Sequence, residues 1–228
     1  MLRSLDLFTG TGGIAYALRG GIAKPAAYCE VSPDARAILA GNMDRGFVHR
    51  APVEEDVVKL DPADYRGVDL IAGGFPCVGL SSMGHRKGLL HPASALFYRV
   101  VELAEAIRPP LMFLENVPNI VSLALDEVIL QLGGRLGYEL RWVSSPAYVV
   151  GAPQFRERWF LLAVRPGFER AIKLQRVAAF DWSAKPPRRM VPHKDPNYLA
   201  RMGALGNGVV PDAVMSSPEP TVDEALRL

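Results

Sequence analysis

The sequence predicts an α/β fold, a mostly parallel sheet with helices on both faces. Short, predominantly apolar runs at residues 3–8, 26–31, 68–72, 111–114 and 159–164 alternate with stretches of helical periodicity. Runs this short suit strands that helices bury from both sides. Helix-start signals follow the first two runs directly: glycines after the first, Ser32-Pro33 after the second. Strand followed by helix, repeated, is the order of a parallel sheet.

Taken in order, residues 3–8 read as a buried strand, followed by a glycine turn and a helix over 13–19. The next strand spans 26–31. Ser32 caps a helix with Pro33 at its first position, running to about Asn42. Residues 52–58 could supply another strand end. Residues 68–72 form a clear strand, and 93–107 have helical periodicity that stops before Pro109-Pro110. The strands at 111–114 and 159–164 complete the pattern, which breaks after Pro166. Residues 181–197 are rich in proline and basic residues and read as irregular. The chain therefore divides into a main unit at 1–166, a basic segment at 167–200 and a C-terminal segment at 201–228.

With 228 residues and 49% hydrophobic composition, one sizeable core forms without staples. Two cysteines, Cys29 and Cys77, are too few for a disulfide framework or a cysteine-rich zinc site, so no metal is expected. They point to a reducing, intracellular compartment. No apolar run approaches a bilayer span, and Asp6 interrupts the first apolar stretch, against a signal peptide. The net charge of +2 is uninformative, but its distribution is uneven. Residues 70–101 hold no carboxylate, and 169–201 hold eight Lys/Arg against three Asp/Glu. Such stretches suit a phosphate-binding surface or two solvated loops.

The first strand ends in Asp6-Leu7-Phe8-Thr9-Gly10-Thr11-Gly12-Gly13. Glycines there let the backbone turn sharply against a ligand. Glu30 follows Gly13 by 17 residues, at the end of the second strand, where doubly wound folds place a ribose-binding acid. Asp56 is a third candidate ligand. The motif suits adenosine-containing cofactors generally, and its spacing departs from the dinucleotide Gly-x-Gly-x-x-Gly pattern.

Gly73-Gly74-Phe75-Pro76-Cys77 follows the 68–72 strand. Ligands bind beyond the carboxyl ends of parallel strands, so Cys77 stands where chemistry occurs, in a stretch whose charge favours thiolate. The alternative is a buried structural cysteine. Glu115 closes the next apolar strand, in Glu115-Asn116-Val117-Pro118. Arg156 and Arg158, two apart in Gln154-Phe155-Arg156-Glu157-Arg158, would face one side of an extended segment.

Together these residues resemble the DNA (cytosine-5)-methyltransferase family. The Phe-x-Gly-x-Gly-Gly turn matches residues 8–13, Pro-Cys matches Pro76-Cys77, and Glu-Asn-Val matches residues 115–117. Gln-x-Arg-x-Arg matches residues 154–158 and Gly-Asn-x-Val matches residues 206–209. The resemblance implies a Rossmann-like class I methyltransferase fold, S-adenosylmethionine as cofactor and cytosine in double-stranded DNA as substrate. It implies that Cys77 attacks carbon 6, that Glu115 engages ring N3 and the exocyclic amine, and that Arg158 holds the carbonyl oxygen. Arg156 would support Glu115 or a phosphate, and Asn116 would fix the loop. Phe8, Gly10, Gly12, Gly13, Glu30, Asp56 and Pro76 would surround the cofactor, closed by Asn207 and Val209 from the C-terminal side. Residues 79–88 resemble the loop that closes over a flipped base, with Ser81, Ser82, Arg86 and Lys87 as DNA contacts.

Two departures stand out. Val78 occupies a position where the family usually has Gln. Only about 47 residues separate Arg158 from Gly206, where the family carries a substantial recognition region. A short or loose target site follows, or specificity supplied by a partner chain or a second copy. The expected setting is the cytoplasm of a bacterial or phage-infected cell, as part of restriction–modification. The rival readings are the same chemistry on RNA or a free nucleotide, a non-catalytic partner of another methyltransferase, and a nicotinamide-dependent oxidoreductase.

Overall fold

The computed structural model describes residues 1–76, 96–147 and 156–168. Seven strands form one sheet: β1 (Leu2–Leu7), β2 (Ala23–Cys29), β3 (Val53–Glu54), β4 (Leu70–Gly74), β5 (Leu111–Asn116), β6 (Glu139–Pro146) and β7 (Glu157–Val164). Their order is β3-β2-β1-β4-β5-β7-β6. The first five are parallel, and β7 runs antiparallel to both β5 and β6. The chain winds outward from β1 to β3 and then returns to β4 on the other side of β1. The β1/β4 junction is therefore the point where strand order reverses, and open α/β sheets bind ligands in the crevice above it.

Helices cover both faces. On one side lies α3 (Leu96–Ile107), which buries Phe97, Val100, Val101, Leu103, Ala104 and Ile107. It packs on Leu5, Leu7, Ile71, Met112, Leu114 and Leu161 from alternate strand positions. A buried side chain of this kind contributes about 1.5–3 kcal/mol, so this stripe is a principal anchor. The short helices α4 (Ile120–Leu123) and α5 (Leu125–Val128) extend the same layer. On the other side, α1 (Gly13–Leu18) and α2 (Pro33–Asp44) cover Ala23, Tyr28, Leu70 and Ala72. Ser32 caps α2, its hydroxyl accepting the Ala35 N–H, with Pro33 in the first turn.

Several boundaries differ from the sequence reading. The second strand spans residues 23–29 rather than 26–31, and Glu30 stands just past its end. β5 runs on through Glu115 and Asn116 because both pair with β7, at Phe160 and Trp159. Only two residues of the 52–58 stretch are strand, and Asp56 instead caps a 3₁₀ turn at Val57–Lys59. Edge strand β6 has no counterpart in the sequence reading. No helix among the described residues is long and apolar enough to cross a membrane.

Candidate active site

The turn after β1 has three residues in the left-handed region, Phe8 (φ 51°), Gly10 (57°) and Gly12 (95°). For Phe8 this is uncommon and costs roughly 1–2 kcal/mol, so surrounding contacts must hold it. Those contacts are present. The Thr9 hydroxyl donates to the Asp6 carbonyl at 2.7 Å, and the Cys29 N–H donates to Thr9 Oγ1 at 3.3 Å. The Glu30 carboxylate accepts the Gly10 N–H at 2.7 Å and the Ser32 N–H at 2.8 Å. Each of its oxygens keeps a lone-pair direction for a further donor such as a ribose hydroxyl.

A cavity of about 580 Å³ lies above the β1/β4 junction, a volume that suits a small-molecule site. One wall carries Phe8, Gly10, Gly13, Glu30 and Asp56. The opposite wall carries Gly74, Pro76, Glu115, Asn116 and Arg158. Residues far apart in sequence therefore share one hollow. Gly12 does not line it. A side chain there would meet Leu39 and Val48, so this glycine serves packing behind the turn.

Glu115 and Arg158 form an ion pair, Nε to Oε1 at 2.8 Å, with side chains only 12% and 18% exposed. Burial pushes the Glu115 carboxyl above the usual carboxylate range. The guanidinium of Arg158, and behind it that of Arg156, pull the other way without overcoming the desolvation. Arg156 does not line the cavity, and its charge reaches it through Glu115. The other carboxyl oxygen, Oε2, lies over Gly74, where any Cβ would collide with it. Asn116 is 2% exposed, and its amide donates to the Phe75 carbonyl at 3.1 Å while accepting the Val117 N–H at 2.9 Å. The end of β5 is thereby tied to the segment that leads into Cys77.

Cys77 itself lies outside the described residues, as do Gln154, Ser81, Ser82, Arg86, Lys87, Asn207 and Val209. The other cysteine can be assessed. Cys29 is 2% exposed, and burial, with the charges of Glu30, Asp56 and Glu54 behind it, pushes its thiol up to about 12. It is an inert thiol at neutral pH, which leaves Cys77 as the chain's other thiol.

The structure adds residues that sequence reading passed over. Val31 is 72% exposed at the cavity wall, and Val57 lines the cavity too, so apolar surface flanks the space beside Phe8. Asp6 also lines it, is 4% exposed, and has its carboxyl pushed to about 7 by burial, against a hydrogen bond from Ser4. Its signal was visible as an acid inside an apolar strand. Among the described residues no His, Cys, Asp and Glu cluster could hold a metal ion.

Comparison with known proteins bears on this geometry. Residues 2–213 match the model of the C-5 cytosine-specific DNA methylases. The chain belongs to that family. It is 35% identical to the type II methyltransferase M.CviJI of Paramecium bursaria Chlorella virus IL3A, over 93% of this chain and 57% of that protein. It is 32% identical to M2.BsuMI of Bacillus subtilis, over 71% of this chain and 42% of that one. The chain thus spans about half the length of these curated relatives. Among solved structures, S. pombe Dnmt2 matches with a TM-score of 0.58 at 24% identity, covering 72% of this chain and 51% of that one. The Entamoeba histolytica methyltransferase EhMeth matches at 0.60 and 17%, covering 79% and 58%. At such identities the likeness concerns the fold, which is the Rossmann-like class I arrangement.

The cavity fits the family's donor, S-adenosylmethionine. Glu30 and Asp56 offer acceptors, and Phe8, Val31 and Val57 offer apolar surface for an adenine ring.

Proposed function

We propose that this chain transfers a methyl group from S-adenosylmethionine to carbon 5 of cytosine in double-stranded DNA, with Cys77 as covalent nucleophile. One observation carries the reading: the Glu30-anchored turn and the Glu115–Arg158 pair open into the same cavity, beside Pro76.

Carbon 5 of cytosine is a poor nucleophile, and a covalent adduct divides the difficulty into two steps. The Cys77 thiolate adds to carbon 6, forming a carbon–sulfur bond and moving the 5,6 electron pair toward carbon 5. Glu115, whose carboxyl burial shifts toward the protonated form, donates in that form to ring N3, and its carbonyl oxygen accepts from the exocyclic amine. Arg158 holds the ring carbonyl oxygen, so charge that builds on the ring meets fixed donors in a desolvated site. S-adenosylmethionine, held by Phe8, Glu30 and Asp56, would supply an electrophilic methyl group to carbon 5, its sulfur–methyl bond breaking so that the sulfur leaves as the neutral thioether of S-adenosylhomocysteine. Removal of the carbon 5 proton by a base restores the double bond and expels the Cys77 thiolate. None of this is reachable inside a base stack, so the target nucleotide is extruded.

The basic excess over residues 169–201 supports a phosphate-gripping role for the 167–200 segment, and the family resemblance gives residues 201–228 the role of closing the cofactor site. The reduced segment suits a short or loose target site, or specificity supplied by a partner chain or a second copy, in the cytoplasm of a bacterial or phage-infected cell.

The test is mechanism-based trapping. Duplex DNA carrying 5-fluorocytosine is expected to give a covalent complex with the wild-type chain and none with Cys77→Ser, which also loses methyl transfer. Full transfer by Cys77→Ser would falsify the covalent scheme. Labelled transfer to duplex DNA, RNA and dCMP in parallel separates DNA from the rival substrates.

A further inference from the structure

We propose that Asn42, on the second helix, is a positioning residue for the cofactor turn, acting through the Thr11 carbonyl. The Asn42 side-chain amide donates to that carbonyl at 2.8 Å, and its own oxygen accepts from Arg45 Nη2 at 2.9 Å. Only one orientation of the amide makes both bonds, so the nitrogen is the atom that faces Thr11.

The bond matters because of which peptide unit it holds. The Thr11 carbonyl and the Gly12 N–H belong to one planar amide and point in opposite directions. The Gly12 N–H donates to the Thr9 carbonyl at 3.0 Å. The amide is thus gripped at both ends, from inside the turn by Thr9 and from outside by Asn42. Thr11 lines the cofactor cavity, and Gly12 next to it holds φ at 95°. Glu30 fixes the start of the turn through Gly10, and Asn42 fixes its exit into α1.

Asn42 is itself held by the way α2 ends. Gly46 is left-handed at φ 72°, its N–H donates to the Met43 carbonyl, and the Phe47 N–H reaches back to the Asn42 carbonyl at 2.9 Å. This is the paired closure of a helix C-terminus, which leaves Asn42 three positions from the cap with a fixed backbone. Exposed Arg45 then completes a relay from the surface to the turn. The helix that starts beside Glu30 therefore returns at its far end to brace the other half of the site.

This inference rests on the cavity being the cofactor site, and calorimetric binding of S-adenosylhomocysteine separates the two ideas. If the wild-type chain does not bind it, the cofactor reading falls and this one with it. If wild type binds, Asn42→Asp keeps the size of the side chain and the Arg45 contact but removes the donor. Affinity is then expected to fall about 10-fold, the worth of one hydrogen bond. In turnover the loss falls on the KM for the methyl donor, with kcat recovering at saturation. A purely structural role predicts instead a lower melting temperature with KM unmoved. Arg45→Ala, at the surface, is expected to lose about 3-fold, because it only loosens the relay. Asp44→Asn, on the neighbouring residue, is the control. Unchanged affinity in Arg45→Ala together with unchanged affinity, or failure to fold, in Asn42→Asp overturns the proposal.

Discussion

Glu115 shows how one side chain is held between opposing effects. Burial raises its pKa while two arginines lower it, and burial prevails. A carboxyl of this kind stays protonated to a higher pH than an exposed one. If the neutral acid is the working form, kcat/KM falls as pH rises through that raised value. Glu115→Gln is expected to remove the alkaline limb and cost 10²-fold or more in rate, a typical contribution from a positioned acid. A pH–rate profile of the variant that still falls on the alkaline side would assign that limb to another group. The places of Glu115 and Arg158 in the cavity were legible in the sequence because Glu115 closes one short apolar run and Arg158 opens another. Asn42 was not legible, since nothing in a linear pattern says that a helix end folds back on a distant turn.

At the scale of elements, the site depends on how closely β4 and β5 approach. Gly74 pairs with Glu115 across the ladder, and the carboxyl lies over the glycine. Gly74→Ala is expected to displace Glu115, break its contact with Arg158 and abolish activity, at a stability cost of about 1–3 kcal/mol for overpacking. Denaturation together with a crystal structure of the variant checks both. Central strands β4 and β5 announce themselves by runs of apolar residues, because both their faces are covered, whereas β1 carries Arg3, Ser4 and Asp6 among its leucines. Edge strand β6 does not. Glu139, Arg141 and Ser144 are exposed, and no single period dominates its eight residues. The ends of β2 and β5 were misjudged for a related reason: pairing to a neighbour, rather than composition, decides where a strand stops.

For the whole molecule, Asp6 links folding to pH. Its carboxyl titrates near 7 in the folded chain against about 3.8 when free. The folded state therefore holds this proton more tightly than the unfolded state. The contribution to stability is fully present below pH 3.8, declines from there, and is gone once pH has passed 7. The slope over that window is at most about 1.4 kcal/mol per pH unit for one proton. Asp6→Asn cannot titrate, so urea midpoints of wild type and variant measured from pH 4 to 8 are expected to diverge steadily. Parallel curves would place the Asp6 proton elsewhere. The chain spans 57% of M.CviJI, yet this half already contains both walls of the cavity.

The inertness of Cys29 has a consequence for chemical damage. Peroxide attacks thiolates, and a sulfenic acid is rescued within a protein only if a second thiolate is at hand to resolve it. A thiol whose proton comes off near 12 offers none. Oxidative inactivation should therefore be a single hit at residue 77, without an internal disulfide. Recovery then falls to reductants from outside the protein.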